Sequence, residues 1–243
     1  MSGRVRAGLG VVRINNELWK ESIFWCCATI SSMILTFHGG GCIKASAGDT
    51  TLVFSPVSKS SKKIKPANFG ADVALISIKH PDANGSEQVA RSGKETFVVD
   101  GAGEYEIGPV TIEGVTTSSK YDGDERINTV YHVKFDGLSL LYLGAMGEAK
   151  IPKEIVEDVD VVDILCVPIG GEGVLTPAEA QKIAVQLEAK IVIPIFYGEV
   201  GEKDALKRFL KEAGAEDVKP VDKSTLKPRD VADRVGDVIV LAE

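Results

Sequence analysis

The feature that most constrains this chain is a change of rhythm near residue 150. Before it, short apolar runs are cut off by glycine or aspartate: Ile34-Leu-Thr-Phe37 ahead of Gly39-Gly-Gly41, 42–45 ahead of Gly48-Asp49, then 50–54. Short runs bounded by turn residues read as strands, and three in succession as a β-meander. Residues 71–78 (ADVALISI) form a more continuous apolar run, the pattern of a strand buried on both faces. Further strands are predicted at 95–99, 110–115, 128–135 and 139–143, with Gly101, Gly103, Gly108, Gly114 and Gly137 at the turns. Beyond residue 150 strands alternate with helices. Residues 152–158 predict a short helix and 161–167 a buried strand. Thr176-Pro-Ala-Glu179 then supplies an N-cap, a first-turn proline and a capping-box glutamate for a helix reaching Glu188. Residues 190–195 predict another buried strand, 203–213 a helix closed by Gly214, and 237–241 a last strand. Strands first and alternation later place the chain in the α/β class.

Length and charge narrow the function classes. The 243 residues allow one large domain or two small ones, at about 100 to 200 residues each. A formal charge of −7 disfavours nucleic acid or an anionic membrane as general partner, because both reward positive charge. Cys26, Cys27, Cys42 and Cys166 show no C-x-x-C spacing, so neither a zinc knuckle nor a thioredoxin-type pair is indicated; free thiols fit a cytoplasmic location. The first 32 residues differ from the rest, carrying Arg4, Arg6, Arg13 and Lys20 against Glu17 and Glu21. We take 1–32 as an extension, disordered or from a mis-assigned start before Met33, with a targeting peptide and a real arm as alternatives, and 33–243 as one domain.

Several residues invite chemistry and receive a plainer reading. Gly39-Gly-Gly41 lead into a strand rather than a helix, so they predict a wide hairpin turn, not a phosphate cradle. Cys42 reads as a packed strand residue rather than a nucleophile. Glu104 and Glu106 flank Tyr105 and share one face of an extended segment, on which a paired-carboxylate site could be imagined. His132 shares its face with Val130 and Lys134 and is expected to be solvated or half-packed.

Five segments taken in order carry a resemblance: His38-Gly-Gly-Gly-Cys42, Ser77-Ile-Lys-His-Pro-Asp-Ala-Asn84, Gly101-Ala-Gly-Glu-Tyr-Glu-Ile-Gly108, Leu143-Gly-Ala-Met-Gly147 and Ile193-Pro-Ile-Phe-Tyr197. Together they resemble the motifs of the metallo-β-lactamase superfamily, in its compact branch of zinc-dependent hydrolases related to the L-ascorbate-6-phosphate lactonase. The resemblance implies an αβ/βα sandwich of two mixed sheets flanked by helices, with the site at one rim, and makes the Gly101–Gly108 segment a structural turn rather than a pair of catalytic carboxylates. It also implies hydrolysis of esters, lactams, lactones or phosphodiesters by metal-activated water.

The implied pattern has seven ligand positions, H-x-H-x-D-H, a later His, a bridging Asp and a last His. His80 and Asp82 keep two of them. Ile78 stands at the first His, Ala83 at the third, Ala145 at the bridging Asp and Phe196 at the last His, while no His occurs near 119–121. His38 lies at the implied rim without being a ligand and is expected to bond backbone. Catalytic zinc usually takes three protein ligands, so His80 and Asp82 are the only candidate metal or catalytic residues, and insufficient for a closed site. The leading expectation is a protein that has lost its metal centre and hydrolysis, holds no cofactor, and keeps a binding or structural role toward a small molecule or protein. Its competitors are a zinc or manganese hydrolase with an atypical site at His80 and Asp82, and a structural homo-oligomer.

Overall fold

The computed structural model describes residues 32–66, 68–90, 93 and 95–243. The expectations for 1–32 therefore fall almost wholly outside the described residues. The meander is present: β1 (Met33–Phe37), β2 (Ile43–Ala47) and β3 (Thr50–Phe54) pair antiparallel in sequence. Gly39-Gly-Gly41 form the first hairpin turn, as the sequence predicts, with the His38 N–H donating to the Cys42 carbonyl at 2.8 Å. Next come β4 (Val73–Leu75) and β5 (Phe97–Val99), both added in parallel. A second sheet opens with β6 (Gly103–Ile107), β7 (Val110–Ser119), β8 (Arg126–Phe135) and β9 (Leu138–Tyr142) as antiparallel neighbours.

Alternation follows. The order is α1 (Lys153–Asp158), β10 (Ile164–Pro168), α2 (Pro177–Gln186), β11 (Ile191–Ile195), α3 (Ala205–Glu212), β12 (Ser224–Leu226), α4 (Pro228–Val231) and β13 (Asp237–Val238). Thr176 and Glu179 form the predicted capping box at the start of α2. The sheets run β12-β1-β2-β3-β4-β5 and β13-β11-β10-β9-β8-β7-β6, both mixed, and their inner faces share a core built on Leu35, Phe54, Leu75, Tyr131, Tyr142 and Ile193. A second apolar layer, with Leu141, Leu165, Ile155, Ile183 and Phe209, packs helices on the outer face of the second sheet.

Three expectations need correction. The 71–78 run is a strand only over Val73–Leu75, because the chain then leaves the first sheet: Ser77 accepts from the Thr129 N–H at 2.8 Å and Ile78 bridges Asn128 in the second. That crossing delivers residues 79–83 to the rim. The Gly103–Ile107 segment is an edge strand rather than a turn, paired along its length with β7. Strand β12 and helix α4 were not foreseen, since Ser-Thr-Leu carries no apolar run and owes its place to pairing with β1.

Candidate functional site

Past the crossing, a tight turn folds back on itself, with the Ala83 N–H donating to the His80 carbonyl at 2.8 Å. This turn sets His80 and Asp82 side by side. The Asp82 N–H donates to His80 Nδ1 at 3.2 Å, and Asp82 Oδ2 lies 3.5 Å from the same nitrogen. With Nδ1 accepting, a neutral ring carries its proton on Nε2, which faces Asp122 Oδ2 at 3.3 Å. The Asp82 side chain is 2% exposed, and burying a carboxylate is costly unless donors surround it. Ser61 Oγ donates to its Oδ1 at 2.6 Å and the Tyr121 hydroxyl to its Oδ2 at 2.7 Å. Burial first, then the Asp82 carboxylate, raises the Tyr121 pKa well above the ordinary tyrosine value, so the phenol stays a donor. Asp122 is held below the usual carboxylate range, chiefly by the hydrogen bond from Lys63 Nζ at 2.7 Å.

The other family positions present hydrocarbon. Ile78, Ala83, Ala145 and Phe196 are at most 1% exposed. The Phe196 ring stands edge-on to Tyr121 at 5.3 Å, and Tyr121 edge-on to His80 at 5.0 Å, so three rings pack edge to face where ligands would converge. Phe196 adopts φ +55, a conformation costing a bulky residue on the order of 1 to 3 kcal/mol, and its N–H donates to the Gly40 carbonyl at 2.6 Å. Gly41 makes room for it, since a Cβ there would lie 2.4 Å from the Phe196 ring. Ala145 turns its N–H, not a side chain, to Asn128 Oδ1 at 2.8 Å.

Tyr121, Asp122, Ser61 and Lys63 complete the rim, and sequence reasoning had not assigned them. The one available signal was position: Tyr121 falls where the family's later His is expected. Lys63, Tyr121, Asp122, Glu172, Phe196 and Val200 line a rim cavity of about 510 Å³.

The remaining candidates lie apart from this network or are differently engaged. His38 bonds the Thr36 hydroxyl at 3.0 Å and packs on Phe69, so its ring partner is a side chain rather than backbone. Cys42 is fully buried and its thiol pushed up to about 12 by desolvation, in keeping with a packed residue. His132 is the clear correction. It is buried, with Nε2 on Ser139 Oγ at 2.9 Å and Nδ1 3.7 Å from Glu113, because its face of β8 lies in the layer beneath the helices. Glu104 and Glu106 are exposed on β6.

Metal binding needs several donors meeting at one point. Among the described residues no group of three or more His, Cys, Asp or Glu side chains is placed to hold a metal ion. His80 directs its two nitrogens to different partners, and both Asp82 oxygens accept from hydroxyls. The residues present therefore do not fit the dinuclear centre that the fold implies.

A β-lactamase superfamily domain model matches residues 34–196. The chain belongs to this superfamily. A UPF0173 metal-dependent hydrolase from Natranaerobius thermophilus is 24% identical over 188 residues, spanning 68% of this chain and 83% of the relative. Another from Thermococcus kodakarensis is 28% identical over 178 residues, spanning 62% and 78%. Among solved structures, a candidate zinc-dependent hydrolase of the metallo-β-lactamase superfamily from Thermotoga maritima superposes with a TM-score of 0.67 at 28% identity, covering 86% of this chain and 98% of that one. A Parabacteroides distasonis protein at 21% identity and TM-score 0.60, covering 87% and 93%, shares the fold. Among the described residues no helix is long and apolar enough to cross a membrane.

Proposed function

We propose that this member of the superfamily keeps the scaffold for binding a small molecule at its rim and no longer performs metal-dependent hydrolysis there. The reading rests on Asp82. The retained carboxylate spends both oxygens on Ser61 and Tyr121, while Ile78, Ala83, Ala145 and Phe196 offer no donor. The rim cavity of about 510 Å³ falls in the range of small-molecule sites, about 300 to 1,000 Å³. Its aromatic floor suits an uncharged ring, and its charges balance, Lys63 and Lys120 against Asp122 and Glu172, with Lys63 and Asp122 paired directly.

The competing reading is a zinc or manganese hydrolase with an atypical site at His80 and Asp82, acting on esters, lactones or phosphodiesters. The names carried by the relatives favour it. Elemental analysis of the purified full chain after incubation with zinc or manganese and desalting separates the two. Our reading expects less than about one ion per ten chains and no turnover of an ester, lactone and phosphodiester panel. Near-stoichiometric metal that disappears in His80→Ala, accompanied by turnover, would sink it.

A further inference from the structure

A second cavity, of about 440 Å³, shares no lining residue with the first. It arises from a mismatch in strand length. Strands β4 and β5 end at Leu75 and Val99, whereas β7 and β8 extend to Ser119 and Arg126. The inner face of the second sheet is thereby left without a facing strand at its end. Side chains alternate across a strand, so Ile127 shares the face of Thr129 and Tyr131. Tyr131 is fully buried between the sheets; Ile127 is 71% exposed. With the Ile78 crossing, Ile127 gives this cleft an apolar floor.

Two cations stand over the floor, Lys79 and Arg126, against one acid, Asp100. Arg126 is incompletely paired. Its Nη2 donates to Asp124 Oδ2 at 2.6 Å and its Nη1 reaches the Lys79 carbonyl only at 3.5 Å. Its Nε, shielded from solvent, has no hydrogen-bond partner among the described residues. A charged donor makes its strongest hydrogen bonds to a carboxylate, and Nη1, held only by the long carbonyl contact, is the nitrogen with capacity left. A carboxylate arriving from the cleft would replace the long carbonyl contact at Nη1.

We infer that this cleft binds an amphipathic monocarboxylate, its apolar body on Ile78 and Ile127 and its carboxylate on Arg126 and Lys79. The site is independent of the rim reading above.

The test is calorimetric titration of the full chain with octanoate, and with 1-octanol as the uncharged counterpart. Saturable octanoate binding is expected, at least tenfold tighter than octanol, weakened at least tenfold by Arg126→Met and by Ile127→Asp. Ile127 is exposed, so its substitution tests the floor without threatening the fold, and Lys79→Met, at another exposed position, should weaken binding several-fold. Lys63→Met, in the rim cavity, should change the affinity by less than twofold. Absence of saturable binding, equal binding of octanol, indifference to Arg126→Met and Ile127→Asp, or loss of binding in Lys63→Met would each overturn the assignment.

Discussion

Asn128 and Asp82 are both buried polar side chains that pin separate stretches of chain, and they do so with opposite chemistry. Asn128 is a neutral amide inside the second sheet. Its Nδ2 donates to Thr117 Oγ1 at 2.8 Å and to the Leu143 carbonyl at 3.0 Å, while its Oδ1 accepts from Ala145. Two of these three partners are backbone groups of the loop in which the family would carry a metal-bridging aspartate. Gly144 lets the loop come this close, at φ +62, where a Cβ would sit 2.5 Å from Asn128 Oδ1. Asp82, at the rim, is a carboxylate served by hydroxyls borrowed from Ser61 and Tyr121. The amide network is complete without charge, cation or ligand. The carboxylate network at Asp82 is held by side-chain hydroxyls only. Framework and rim thus use different chemistry, and whether their energies separate can be tested.

The sharpest break would come at Asn128. Asn128→Leu keeps the branched shape with somewhat more bulk and strands the Ala145 N–H and the Leu143 carbonyl, while the Thr117 hydroxyl keeps its bond to the Asn128 carbonyl. At about 1 to 3 kcal/mol per buried unpaired group, a loss of about 4 kcal/mol is expected, on the order of 10 °C in melting temperature. Guanidinium denaturation measures it; a loss below about 1 kcal/mol would mean that the loop is held by something else. The rim should cost less. Asp82→Ala is expected to lose about 2 to 3 kcal/mol and Tyr121→Phe about 1 to 2. In a double-mutant cycle the pair should couple by about 1 kcal/mol or more. Strict additivity would show that the 2.7 Å contact contributes nothing and would remove the ground for treating Asp82 as a self-contained latch.

The two regions were unequally legible in sequence. Local signals reported well: the Gly39-Gly-Gly41 hairpin, the Thr176–Glu179 capping box and the buried strand of Ile191–Ile195 depend on neighbours a few residues away. That the side chains of Ile78, Ala83, Ala145 and Phe196 carry no metal-ligating atom is a fact of the sequence in any conformation. What fills the site was not legible there. Ser61 and Tyr121 lie 21 and 39 residues from Asp82, in turns whose polar side chains leave no periodic trace. His132 was misjudged for a related reason. Alternation assigned its face correctly, but only packing shows that the layer holding Val130 and Leu141 covers that face.

That misjudged histidine gives a smaller test. His132 is pushed below the ordinary histidine value by burial, then by Lys134, against an opposing pull from Glu113; His38 is lowered by burial and by Lys44. Unfolded histidine takes up its proton near pH 6.5, whereas these rings stay neutral in the fold to a lower pH. Between those two values the unfolded chain binds more protons, so the contribution present above about pH 6.5 is lost as pH falls. His132→Gln retains a partner for Ser139 and cannot titrate. Urea unfolding at about pH 7.5 and about pH 5.5 should therefore show a shallower decline in this variant than in the parent. Equal declines would mean that His132 is as easily protonated in the fold as out of it.

The smallest effect should come from the rim ion pair, and its smallness sharpens the contrast with Asp82. Lys63 and Asp122 meet at 2.7 Å, but their side chains are 47% and 44% exposed. Water and salt screen such a pair, and ordering two mobile side chains offsets much of the attraction, so Lys63→Met should cost about 0.5 kcal/mol or less and still less in added salt. The more telling readout is ionisation. Lys63 heads the causes that hold Asp122 below the usual carboxylate range, so the Asp122 midpoint, followed by carboxyl carbon NMR, should rise in Lys63→Met. Because the folded value is depressed, the pair's contribution is present above the ordinary aspartate pKa and disappears as acid titrates Asp122. The parent and the variant should therefore converge in stability at low pH. If Lys63→Met instead destabilised the chain as much as Asp82→Ala, the rim would be one cooperative charged unit, and a buried latch beneath a solvated ion pair would be the wrong description of it.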